Sequence, residues 1–301
     1  MHERDAVIET TRAAPVERPF GRPMLGDAER RAVDTVLRQP LLTHGPLVKR
    51  FEEEFAAFTG APHAVAVSSC TAALHLAYWA LGLRSGDEVL VPALSHVATA
   101  HAVEFLGGRC VFVDAEPETG NIDLDAAEAA ITPRTVGLSV VHFLGRAVDM
   151  TRVKAIADRA GLFVVEDCAL AVGVTHDGTH VGLHGDAGCF SFYPIKHLTT
   201  GEGGMLITRR ADVAQAASMQ RAFGIDRNVV SERPRPGDYD VPLLGNNYRL
   251  TEMAAAIGVE QLRRLPEFIA RRVANRRALV AALASCDELN VLGGDDEASN
   301  E

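Results

Sequence analysis

The sequence predicts an α/β fold, a mostly parallel sheet flanked by helices on both faces, and three observations carry that expectation. Between residues 63 and 208, short β-branched runs alternate with amphipathic stretches of helical period. Those intervening stretches are long enough to be crossovers, which parallel strands require. The chain has 301 residues and is 47% hydrophobic, enough to bury a sizeable core in one large domain or a large and a small one.

In chain order, HAVAVSS (63–69) reads as a strand, CTAALHLAYWALG (70–82) as a helix, DEVLVPA (87–93) as a strand and SHVATAHAVEFLG (95–107) as a helix. RCVFVD, LDAAEAAI, TVGLSVVHF, RVKAIADRAG and LFVVEDC continue the rhythm to residue 168. AGCFSFY (187–193) and GGMLITR (203–209) follow too closely for a helical crossover, which predicts an antiparallel departure. Next come a helix near ADVAQAASMQRAFG, a Pro, Arg and Gly-rich loop (223–245) and a long helical pattern from Thr251 to Ala284 interrupted by Pro266. The acidic ending GGDDEASNE reads as frayed.

The formal charge of −10 and the lack of a basic stripe argue against a nucleic-acid partner. Residues 1–25 lack the apolar core of a secretory signal and no run reaches membrane-spanning length, so a cytoplasmic protein is expected. Five cysteines without a C-x-x-C pair fit reduced thiols better than disulfides or a zinc site. G-x-G-x-x-G, G-x-x-x-x-G-K-[ST] and G-x-S-x-G motifs are missing, against a nicotinamide dehydrogenase, a nucleotide hydrolase and a serine hydrolase.

The chemistry gathers in FSFYPIKHLTTGEGGML (190–206). Lysine occurs only at 49, 154 and 196, and Lys196 lies between an apolar run and a glycine cluster. A surface lysine on a loop is one reading. The other is a reagent, since a partly desolvated lysine loses its proton and attacks a carbonyl carbon, as arginine cannot. Asp167 closes the strand LFVVED, where it either caps the next segment or meets a cation. Ser69 and Thr71 lie where a strand turns into a helix, as ordinary caps or as an anion site. Ser191 either adds a hydroxyl to that site or faces solvent. An amine, a phosphate cradle and a buried carboxylate together suit pyridoxal phosphate.

The chain also resembles the DegT/DnrJ-type aminotransferases of keto sugars from about Arg18 to Leu265. The likeness rests on LLTHGPLVKRFEEEFA, AVSSCTAALHLA, VPALSHVATA, VFVDAEPETGNID, VVHFLGRAVDM, VVEDCALAVG, GDAGCFSFYPIKHLTTGEGGM and NNYRLTEMAAAIGVEQL. The resemblance implies a fold type I pyridoxal phosphate transferase acting as a homodimer. It implies an N-terminal arm (1–25), a cofactor-binding large domain (26–250), and a long helix with a truncated C-terminal small domain (251–301). Lys196 would be the Schiff-base lysine and proton carrier, and Asp167 the partner of the pyridine nitrogen. Ser69, Cys70, Thr71 and Ser191 would contact the phosphate, Asn247 the neighbouring subunit's phosphate, and His96 the pyridine face. An amino acid, typically L-glutamate, would supply the amine to a nucleotide-linked keto sugar. A keto-cyclitol acceptor and a non-catalytic cofactor-binding homologue are the alternatives. Cys70 departs from the family's glycine, placing a side chain in a turn that favours none, and Leu170 replaces a polar residue.

Overall fold

The computed structural model describes residues 21–226 and 239–286, with 289 and 291. Most of the expected N-terminal arm, the middle of the 223–245 loop, most of DELNVLG and the acidic ending lie outside the described residues. Two helices the alternation did not reveal, α1 (Asp27–Leu37) and α2 (Pro46–Thr59), open the chain. The expected rhythm follows as β1 (His63–Val67), α3 (Cys70–Ala80), β2 (Glu88–Pro92), α4 (Val97–Glu104), β3 (Arg109–Val113) and α5 (Leu124–Ala129). It continues through β4 (Thr135–Val141), α6 (Met150–Ala160) and β5 (Phe163–Asp167). A small antiparallel pair, β6 (Thr175–His176) and β7 (Thr179–His180), precedes β8 (Ala187–Ser191), β9 (Gly204–Thr208), α7 (Ala211–Gln220) and α8 (Glu252–Leu283).

Among the described residues, seven strands form one sheet in the order β1-β9-β8-β5-β4-β2-β3. Strands β3, β2, β4, β5 and β8 pair in parallel, whereas β9 runs antiparallel to both β8 and β1. The antiparallel departure is therefore confined to β9, and the carboxyl ends of all the other strands meet on one edge. The twelve residues from Phe192 to Gly203 turn the chain back without a helical crossover, so β9 starts where β8 ends.

Alternate residues along each strand feed opposite faces. Val65, Val67, Cys189 and Leu206 pack with α3 and α7 on one face. Ala66, Phe190, Met205 and Ile207 pack with α2 and α8 on the other, and Leu90, Leu138, Val140 and Val164 meet α6. Among the described residues no helix is long and apolar enough to cross a membrane.

Helix α8 corrects one expectation, since it continues through Pro266. A proline inside a helix costs about 3 kcal/mol. Pro266 points outward while Leu262, Leu265 and Phe268 are buried, and the apolar contact they make outweighs the local penalty. The same helix is tied to both opening helices by carboxylates. Glu252 accepts the backbone N–H groups of Leu47 (2.9 Å) and Val48 (3.1 Å), neutralising the first turn of α2. Glu29, 2% exposed, accepts Gly26 N–H, Gln261 Nε2 and Arg264 Nη1, each at 2.7 Å.

Burial opposes the Glu29 charge, but those donors outweigh it and bring the carboxyl from 4.5 down to about 2. A carboxylate with a depressed value stabilises the fold above its unfolded titration point, and the stabilisation fades as pH falls toward the folded value. Glu29→Gln is expected to cost roughly 3 kcal/mol at pH 7. In urea melts the gap between parent and variant should fall by about half at pH 3; a gap independent of pH would contradict this assignment.

Candidate active site

The sheet edge where the strands end collects the residues singled out in the sequence. Ser69, Cys70 and Thr71 follow β1, His96 follows β2, Asp167 ends β5, Ser191 ends β8 and Lys196 comes five residues later. Register fixes the neighbours: Asp167 pairs with Val141 on one side and Cys189 on the other, while Ser191 and Val67 both pair with Gly204.

Ser69 is the N-cap of α3 in extended conformation, its Oγ accepting Ala72 N–H at 3.1 Å. Cys70 is the first helical residue, so the glycine-like turn expected there does not arise. Its thiol is buried in the core, and burial above all pushes its pKa up. Any contribution of Cys70 to an anion at this helix start is therefore its backbone N–H, with the half-buried Thr71 beside it. The turn rests on Gly204. A Cβ at that position would stand 2.5 Å from the Ser69 carbonyl carbon and oxygen and 2.6 Å from Cys70 N, so the first strand's end and β9 meet backbone to backbone.

Two consecutive carboxylates end β5, and their environments differ. Glu166 is fully buried and accepts Gly182 N–H (2.6 Å), His184 N–H (2.9 Å) and Gly185 N–H (2.6 Å), with His142 Nε2 at 3.0 Å. His142 Nδ1 accepts Val148 N–H at 3.1 Å, so Nε2 carries the ring proton and donates to Glu166. Burial opposes the Glu166 charge, yet His142 and the backbone donors hold its pKa below the ordinary carboxylate value. Glu166 was not singled out in the sequence, and its work is to fix the 182–185 loop under the site.

Asp167, 4% exposed, has less support: Thr99 Oγ1 donates to one oxygen at 2.8 Å and Ala169 N–H to the other at 3.0 Å. Burial raises its pKa, against the pull of Thr99, Ala169 N–H and the positive charge of Lys196. Among the described residues no cation lies within ion-pair distance of it. Thr99, one turn into α4, was also missed; its only signal in the sequence is a hydroxyl three residues after His96. Lys196 is half-buried and near enough for its charge to act on Asp167, Cys70 and His197.

The remaining candidates are more peripheral. His96 is exposed and caps α4, its Nδ1 accepting Ala98 N–H at 3.2 Å, which is the helix N-terminal role. Ser191 Oγ accepts Tyr193 N–H at 3.4 Å. Asn247 is exposed on a segment bound beside β1, where Ser68 N–H donates to Tyr248 O at 2.7 Å and Arg249 bridges Val67. Leu170 is half-buried on the turn after Asp167, and its carbonyl lies under Gly145.

Gly204→Ala is expected to force the Ser69 turn away from β9 at a cost of about 1–3 kcal/mol. A thermal melt of the variant should fall by several degrees; a melt equal to the parent's would mean the close approach is not a constraint.

The family model described as the DegT/DnrJ/EryC1/StrS aminotransferase family matches residues 23–301. The spore coat polysaccharide biosynthesis protein SpsC of Bacillus subtilis is 42% identical over 256 residues, 84% of this chain and 66% of that protein. GDP-perosamine synthase of Caulobacter vibrioides is 42% identical over 228 residues, 76% of this chain and 59% of that protein. The chain thus spans 59–66% of the length of these relatives. The crystal structure of sugar aminotransferase CalS13 from Micromonospora echinospora superposes with a TM-score of 0.86 at 36% identity, covering 92% of this chain and 76% of that one. The architecture is that of fold type I aminotransferases, and by family match and identity alike the chain belongs to the DegT/DnrJ/EryC1/StrS aminotransferase family.

Proposed function

We propose that the chain is the catalytic body of a pyridoxal phosphate-dependent aminotransferase that moves an amino group from an amino acid, L-glutamate, to a keto sugar carried on a nucleotide. Aminotransferases of this family depend on that cofactor. The observation that carries the reading is Asp167: a buried carboxylate for which the described residues supply two donors and no cation within ion-pair distance, on the same strand-end edge as the half-buried Lys196. Asp167 would pair with a protonated pyridine nitrogen and would in turn keep that nitrogen protonated.

The residues present fit the cofactor. Asp167 would hold the ring nitrogen, and Lys196 Nζ the aldehyde carbon. Ser69 and the N–H groups opening α3 offer an anion site at the positive end of a helix, over a floor that only glycine at 204 permits. Ser191 and Asn247 border that turn through β9 and the Tyr248 segment, and His96 caps α4, the helix that carries Thr99. When bound, the cofactor supplies an electron sink for the substrate's amino carbon. The protein's part is to orient and to move a proton. Lys196 Nζ would be the base that takes up the proton from the donor's α-carbon and, as the ammonium, the acid that gives it back. Thr99 and Ala169 N–H fix both Asp167 oxygens, so the orientation of the carboxylate is set in advance.

The names of the relatives favour a sugar over a cyclitol as acceptor, and one of them is a synthase of a GDP-linked sugar. A second copy of the chain completing the site through Asn247, and a cytoplasmic location, belong to the same reading.

Borohydride reduction of the pyridoxal-loaded protein should bleach its colour and leave the mass label on Lys196, with Lys49 and Lys154 unmodified. A label on another lysine would refute the assignment. Glutamate should convert the loaded protein to its amine form and release 2-oxoglutarate, and Lys196→Ala should slow that conversion by at least about 100-fold. Equal rates in parent and variant would remove Lys196 from the chemistry.

A further inference from the structure

Lys196 also borders a cavity of about 320 Å³ between the chain entering α1 (Arg22–Met24), the segment Lys196–Thr199 and α8. Arg22, Arg271 and Arg272 line it together with Lys196, and no described aspartate or glutamate does. Arg271 shares its charge with Glu267 at 2.8 Å, a pair more than half exposed and so weakly held. Among the described residues no carboxylate lies within ion-pair distance of Arg22 or Arg272. Glu29, close by in the fold, is committed to Gln261 and Arg264.

His197 reports how closely these charges converge. Burial first, then the charges of Arg272 and Lys196, push its pKa down to about 4, so the ring is neutral at pH 7. Its Nδ1 is buried and has no hydrogen-bond partner among the described residues. A pocket with this excess of positive charge and an unspent imidazole nitrogen is poorly satisfied when it holds only water.

We propose that this basic cavity is the subsite for the carboxylates of the amino donor, an acyclic dicarboxylic amino acid, with Arg22, Arg271 and Arg272 as its anion-binding residues. The assignment rests on the aminotransferase reading above. Three arguments select the donor over the acceptor's phosphates. The donor's α-carboxylate is one bond from the carbon whose proton Lys196 takes, so its anion site has to adjoin Lys196. The volume is at the small end for ligand pockets, which suits a metabolite of amino-acid size rather than a nucleotide sugar. More than one guanidinium matches two carboxylates, and each can grip one through parallel N–H···O bonds.

The test uses the pyridoxal-loaded full chain, its Arg271→Gln/Arg272→Gln double variant, and Arg276→Gln as a control on the same helix. In thermal-shift titrations 2-oxoglutarate should stabilise the parent and Arg276→Gln alike, while the double variant should need at least tenfold more. In the donor half-reaction the double variant should raise KM for glutamate at least tenfold with kcat within twofold, and leave the keto-sugar half-reaction unchanged. Equal 2-oxoglutarate responses in parent and double variant overturn the subsite. Stabilisation by inorganic pyrophosphate that exceeds that of 2-oxoglutarate and is lost in the double variant also overturns it, in favour of the acceptor's phosphates. A parent that never transaminates overturns the underlying reading of function; a parent that transaminates with unchanged arginine variants overturns the subsite alone.

Discussion

The burial of two adjacent carboxylates at the end of β5 is the constraint around which the site is organised. Successive strand residues face opposite sides of a sheet, and here both sides are covered, so neither Glu166 nor Asp167 reaches water. A buried charge is tolerable when enough donors surround it and costly otherwise. Glu166 meets that condition inside the protein through three backbone N–H groups and His142. Asp167 meets it only in part, which is why the two pKa values move in opposite directions. One residue is a fastening and the other keeps an unfilled demand for a cation.

The rest of the fold arranges what faces that demand. Reversal of β9 alone lets the carboxyl ends of the other strands share an edge, and it places Gly204 beneath the first turn of α3. Because Gly204 pairs with both Val67 and Ser191, the helix start and the segment leading to Lys196 are held in one register. Helix α8 closes the opposite face and, through Glu252 and Glu29, fixes the positions of α2 and α1. A single helix thereby links the core to the cavity in which its own arginines meet Lys196.

Much of this was legible in the sequence, for identifiable reasons. Strands and crossover helices announce themselves by period, and the short 193–203 connection announces the antiparallel strand. The rarity of lysine singled out Lys196 and a charge at the end of an apolar run singled out Asp167, and both lie on the strand-end edge. Glu166 was not, because an acid next to Asp167 in an alternating strand looks solvent-facing, and its partners lie 16 to 24 residues away. Thr99 and Gly204 act through contacts between segments 68 and about 135 positions apart, which no local pattern records. Cys70 misled because a departure from a family pattern invites a backbone explanation, whereas the thiol fits the core and the chain takes helical geometry from its first position. Pro266 misled for a related reason: local propensity argued for a break, and packing with α1 and α2 overrode it.

The central claim is that Asp167 holds a positively charged ring nitrogen. The most direct measurement is the nitrogen-15 NMR spectrum of the protein loaded with ring-labelled pyridoxal phosphate, recorded near pH 8 for the parent and for Asp167→Asn. The account predicts a protonated nitrogen in the parent and a neutral one in the variant; a neutral nitrogen in the parent, or the same signal in both proteins, would contradict it.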